Sequence, residues 1–155
     1  KRFQKQNAIV IYVPDHGEEC YEENRGFICR NHSADIDWPL AHYEFEIPFW
    51  IYCSPKYIKT HRDIYRQIRK AKDKRYMTDA LPHLLLYLAG IETPTYHEEY
   101  NILSPKYNEM RPRILKNSAD YDKLRDAHNA KIAKEKEAEE AKEKAQKKTK
   151  KKKKQ

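Results

Sequence analysis

Six consecutive apolar residues, Ala8-Ile-Val-Ile-Tyr-Val13, four of them β-branched, are stopped by Pro14 and followed at once by Asp15-His16-Gly17. A run this short with no polar alternation predicts a strand covered on both faces, and such strands belong to α/β proteins. A second run of the same character, Ile47-Pro-Phe-Trp-Ile-Tyr-Cys53, ends at Ser54-Pro55 and reads as the neighbouring strand. The stretch between them, residues 17 to 46, is polar, aromatic and irregular. It is longer than the roughly 12 to 15 residues usual for a plain connector. It also begins where a buried strand ends, the side of an open α/β sheet on which ligands bind.

Further along, Ile58, Ile64, Tyr65 and Ile68 recur at broadly helical spacing among Arg and Lys over Lys56 to Lys72, a surface helix with one buried face. Leu81, Leu84, Leu85 and Leu88 fall at i, i+3, i+4 and i+7, with Thr78 or Asp79 as the expected cap and Gly90 as the stop. Residues 91 to 118, with Thr93-Pro94, Ser104-Pro105 and Arg111-Pro112-Arg113, read as extended segments and turns. A long polar helix is expected from Ala119, supported by the i,i+4 pairs Glu140–Lys144 and Glu143–Lys147 and dissolving into disorder past Gln146.

Charge divides the chain in two. The formal charge of +8 resides almost wholly in residues 129–155, with twelve Lys and five Glu, whereas residues 1–128 carry 20 basic and 19 acidic groups. The expected domains are accordingly 1–128, a folded body, and 129–155, a Lys/Glu-rich tail. No apolar run approaches the roughly 18 residues of a membrane-spanning helix, and the mean hydropathy is -1.10. The start on Lys1, in a polar stretch just before a buried strand, reads as a piece of something longer. Cys53 lies in an apolar run and should be buried. Cys20 and Cys29 lack the CxxC spacing of a structural zinc site and are either free thiols or a pair closing a short loop.

Asp15 and His16 are the residues with the clearest chemistry. A carboxylate and an imidazole leaving a rigid strand end together can turn toward one Zn²⁺, while Gly17 lets the backbone turn away. The alternative is a plain turn with a solvated imidazole. His61, His83, His97 and His128 have no convergent partners in sequence and read as structural or solvated, and Glu18, Glu19, Glu22 and Glu23 as a solvated loop face, with a cation site for an amine head group as the alternative. Trp38, Tyr43 and Trp50 read as ordinary packing, with the lining of a lipid-facing cleft as the alternative.

Ile9-Val-Ile-Tyr-Val-Pro-Asp-His-Gly-Glu-Glu19 resembles the strand-plus-DHGE signature of the alkaline phosphatase-like, sulfatase-type superfamily, and most closely the membrane-anchored phosphoethanolamine transferases. Tyr43-Glu-Phe-Glu-Ile-Pro-Phe-Trp-Ile-Tyr-Cys-Ser54, Leu81-Pro-His-Leu-Leu-Leu-Tyr-Leu-Ala-Gly-Ile91 and Arg111-Pro-Arg-Ile-Leu115 resemble later segments of that family in the same order, so the likeness covers residues 7 to about 122. It implies a C-terminal fragment of an alkaline phosphatase-like sheet flanked by helices, with a long charged C-terminal helix or tail. Asp15 and His16 match two zinc ligands. His32 is the best match for a further histidine that binds metal or the substrate phosphate, and His42 is the competing choice.

No threonine here matches the family's nucleophile, which lies upstream with the remaining ligands, so this segment alone is expected to be inactive. The resemblance implies a zinc enzyme on the periplasmic face of the bacterial inner membrane, anchored by transmembrane helices outside this chain. It would move phosphoethanolamine from a phospholipid donor to a lipid A or glycan acceptor. Its partners would include the missing N-terminal part of the same domain.

Two rivals stand beside this reading. A sulfatase or phosphodiesterase would use the same scaffold and metal pair. A polyanion-binding protein would act through the lysine tail, but nucleic acid is disfavoured by a body without a basic stripe and a tail without aromatics for stacking on bases. Attraction of the tail to an anionic membrane surface fits its composition better.

Overall fold

β-Branched residues leave little room for anything but an extended backbone at Ile9–Tyr12, and Pro14 ends it. The computed structural model describes residues 2–26, 28–30 and 35–152. In chain order the elements are β1 (Ile9–Tyr12), β2 (Glu19–Cys20), β3 (Ile28–Cys29), α1 (Trp38–Phe45), β4 (Trp50–Cys53), α2 (Pro55–Thr60), α3 (Arg62–Ala71), α4 (Leu81–Ala89), β5 (Ile114–Leu115), β6 (Ala119–Asp120) and α5 (Tyr121–Lys152). They form an α/β fold of small sheets and helices divided into two units, residues 1–17 with 47–111 and residues 18–46 with 112–155.

In the first unit the two apolar runs are neighbours, as expected, and pair antiparallel with Ile9 opposite Cys53 and Tyr12 opposite Trp50. Because opposite residues share a face, Ile9, Ile11, Ile51 and Cys53 point one way, and Val10, Tyr12, Tyr52 and Trp50 the other. Ile51 packs into a core built on Ala71, Leu84, Ile102 and Leu103, with Phe49, Ile64, Ile68 and Leu88 around it. The other face departs from the expectation of two covered faces: Tyr12, Trp50 and Tyr52 are exposed, and Tyr12 stacks on Trp50 at 5.3 Å. In this unit helices supply apolar side chains to one side of the ladder, and the aromatic pair covers itself on the other.

Ser54 turns the chain from strand to helix. Its Oγ accepts from Tyr57 N–H at 3.0 Å and donates to the Gln6 carbonyl at 2.6 Å, and Pro55 stands in the first turn of α2. The single helix expected over 56–72 is divided at His61, whose backbone leaves the helical region and whose ring stacks on Tyr57 at 4.3 Å. Leu84 is fully buried on α4. Gly90 closes that helix in the left-handed conformation (φ 66°), a cost a side chain would raise. The start of α4 differs from expectation: a short 3-10 turn, Thr78–Ala80, precedes it and no side chain caps it. Asp79 instead grips Arg111 through two hydrogen bonds of 2.6 and 2.7 Å, and Arg111 lies over the Tyr100 ring at 4.8 Å. That guanidinium holds the Asp79 carboxyl below its ordinary pKa.

The second unit joins the hairpin β2–β3, α1, the hairpin β5–β6 and α5. Helix α1 lies inside the stretch expected to be irregular. Asp37 caps it by accepting from Leu40 N–H at 3.0 Å, and Pro39 sits in its first turn. Ala41, Leu115 and Tyr121 form a small apolar core with Ile36, Trp38, Phe45 and Leu124. Arg113 pairs with Asp122 at 2.6 Å and covers the Tyr121 ring at 4.3 Å. Tyr121 donates its hydroxyl proton to Glu46, and its own pKa is pushed up to about 12 by burial first and that bond second.

Helix α5 continues to Lys152, past the expected loss of order at Gln146. Exposed i,i+4 pairs support it, Lys144–Glu140 at 3.6 Å and Lys147–Glu143 at 3.3 Å, each contributing about 0.2 to 0.5 kcal/mol.

Candidate metal centre

Asp15 and His16 leave the first unit's ladder three and four residues after β1 ends. The Asp15 carboxylate is 89% exposed and the His16 side chain 26%. His16 Nδ1 lies 2.8 Å from the Gly17 carbonyl oxygen. A carbonyl only accepts, so Nδ1 carries the proton and donates. In the neutral ring this leaves the Nε2 lone pair free, the arrangement that orients a metal-binding imidazole. Nε2 stands 3.6 Å from Asp15 Oδ2, while Asp15 Oδ1 accepts from the His16 backbone N–H at 3.1 Å. Two acceptors facing each other call for a cation between them, a proton or a metal ion. Bonds of about 2.0 to 2.2 Å to a tetrahedral Zn²⁺ put neighbouring donors roughly 3.4 Å apart, so the spacing of this pair fits.

The pair is not a complete site. Among the described residues no group of three His, Cys, Asp or Glu side chains could hold a metal ion. His32 lies outside the described residues. His42 sits on α1 with Nδ1 3.0 Å from Glu46 Oε2 and its ring stacked on Trp38 at 5.6 Å; it is committed to its own helix. His83 Nδ1 accepts from the His97 N–H at 3.1 Å, and His128 stacks on Trp38 at 5.1 Å.

In the acidic loop Glu18 and Glu23 are exposed, as expected, and Glu19 is the exception. Glu19 is 1% exposed and lies 3.2 Å from Arg25 Nε; burial raises its pKa, against the pull of Arg25. Glu44, also 1% exposed, faces Arg30 at 3.8 Å, and Arg25 reaches Asp37 at 2.6 Å. Glu19 and Glu44 are thus buried against arginines of the second unit. The signal available in sequence was the count of arginines, Arg25 and Arg30, spaced among the acids. Cys20 and Cys29 are exposed free thiols on β2 and β3, and Cys53 is buried. The body also carries a basic stripe that its near-neutral total conceals: residues 62–75 hold seven basic and two acidic side chains.

No family model and no curated protein matches the chain. Two solved structures do, both of the C-terminal periplasmic domain of EcEptC from Escherichia coli, one of them in complex with Zn. Each is 28% identical with a TM-score of 0.59 over 76% of this chain. The chain spans about a third of that domain, 33% and 32% of the two. None of the helices among the described residues is long and apolar enough to cross a membrane. In fold, the chain is similar to the C-terminal periplasmic domain of a phosphoethanolamine transferase.

Proposed function

We propose that this chain supplies part of the active site of a zinc-dependent phosphoethanolamine transferase acting on the periplasmic face of the bacterial inner membrane. The reading is carried by the Asp15–His16 pair, with a free Nε2 3.6 Å from a carboxylate oxygen, at a strand end of a fold matching a transferase domain also solved with Zn. Asp15 and His16 Nε2 would hold the ion, and the Gly17 carbonyl, accepting from Nδ1–H, orients the imidazole so that Nε2 is the nitrogen facing it. Bound zinc would lower the pKa of an attacking hydroxyl and polarise a phosphoryl oxygen. His32 would bind the metal or contact the substrate phosphate. The nucleophilic threonine belongs to a part of the protein outside this chain. The group moved would be phosphoethanolamine, from a phospholipid to a lipid A or glycan acceptor.

A sulfatase or phosphodiesterase would use the same pair; the likeness to an EptC domain favours the transferase. The test is phosphoethanolamine transfer by the complete protein carrying Asp15→Asn or His16→Ala. Each change should lower transfer at least 100-fold, since loss even of a supporting contact around a metal ligand typically costs about 10- to 100-fold. Transfer within threefold of the parent would overturn the assignment.

A further inference from the structure

The first unit contains a cavity of about 300 Å³ that plays no part in the metal-site reading. Its floor is apolar: Phe49 and Ile51 from the strand segment, Ile68 from α3, and Ile102 with Leu103. Its remaining lining includes Arg69, Lys72 and Lys74 and no carboxylate. These cations belong to the basic stripe of residues 62–75. Lys74 is engaged, donating to the Ile102 carbonyl at 3.1 Å and lying 5.4 Å from the Tyr107 ring centre. Lys72 pairs with the exposed Asp73 at 3.5 Å, and Arg69 is exposed. Tyr76 also lines the cavity. The Tyr76 ring stacks on Phe49 at 5.1 Å.

An apolar pocket with a few convergent polar groups is the usual form of a small-molecule site, and this one has the volume of the smaller members of that class. At roughly 30 Å³ per water- or methylene-sized group, it accommodates about ten such groups. The cationic lining selects the sign of the ligand: a guanidinium pairs bidentately with a carboxylate or a phosphate, and Lys72 beside it favours the doubly charged phosphate.

We propose that this cavity binds a single-chain alkyl phosphate, its chain of roughly eight to ten carbons against Phe49, Ile51, Ile68 and Ile102 and its phosphate at Arg69 and Lys72. The claim is independent of the zinc chemistry, and its readout is binding alone. The experiment is calorimetric titration of the protein with decyl phosphate below its micellar concentration, with decanol and inorganic phosphate titrated separately. The double variant Arg69→Gln/Lys72→Gln alters exposed side chains only and should leave the fold intact. Saturable one-to-one binding of decyl phosphate is expected, weakened tenfold or more by the double variant and tenfold or more by omitting either the head group or the chain. Absence of saturable binding, or a loss smaller than tenfold in any of these three comparisons, would overturn the proposal.

Discussion

The two units of this chain are held together by different physics. Residues 1–17 with 47–111 enclose a conventional apolar core around Leu84, Ile102 and Leu103. Residues 18–46 with 112–155 have a smaller apolar cluster and bury two carboxylates, Glu19 and Glu44, opposite Arg25 and Arg30. Apolar burial is additive and tolerant of small shifts, whereas a buried ion pair is favourable only while both partners stay in place. The first unit should therefore lose stability in proportion to the apolar volume removed. The second should fail when a single charge is removed and recover when its partner is neutralised.

The largest effect is expected from Leu84→Ala, which empties a fully buried position. A loss of about 3 kcal/mol in urea unfolding is predicted, and a loss under about 1 kcal/mol would mean that the first unit does not depend on this core. Arg25→Ala should follow, with a loss of roughly 2 kcal/mol from the stranded Glu19 carboxylate. Adding Glu19→Gln should recover much of it; if the double variant is as unstable as the single, the comparison between the units fails.

Acid should sharpen the contrast, because two carboxylates are shifted in opposite directions. Asp79 lies below its ordinary value of 3.8, so its contribution is present above 3.8 and is lost as pH falls through the folded value. Glu19 lies above its ordinary value of 4.5, so the fold prefers its protonated form and its contribution improves as pH falls through the folded value toward 4.5. Asp79→Asn should flatten the stability profile below about pH 4, and Glu19→Gln should flatten it between neutral pH and about 4.5. Exposure of Asp79 limits its share to about 1 kcal/mol or less. The smallest change in stability belongs to the end of α5. Removing residues 131–155 should alter unfolding by less than about 0.5 kcal/mol yet abolish binding to anionic lipid vesicles; unchanged vesicle binding would show that the lysines there do not engage a membrane surface.

Legibility in the sequence followed the same division. The runs at Ala8–Val13 and Ile47–Cys53, the leucine spacing of α4 and its Gly90 stop were readable because apolar burial leaves a periodic trace. The second unit leaves little trace of that kind. Helix α1 is short and aromatic, and its only local signals were the Asp37 cap and Pro39; Glu19 and Glu44 look solvated until the arginines opposite them are placed in space. The open Tyr12–Trp50 face was hidden by the continuity of both runs, which does not record whether anything covers the second face. At the candidate centre the sequence supplied the ligand types, Asp15 and His16. The imidazole tautomer rests on the Gly17 carbonyl contact, which only the folded chain displays.

The central claim is that His16 Nε2 and the Asp15 carboxylate share one zinc ion. Anomalous scattering at the zinc edge, from crystals of the complete protein grown with zinc, tests it directly. The account predicts a zinc peak about 2.0 to 2.2 Å from both groups, with Nδ1 still donating to the Gly17 carbonyl. A fully occupied zinc bound by other residues, with Asp15 and His16 both outside its shell, would contradict it.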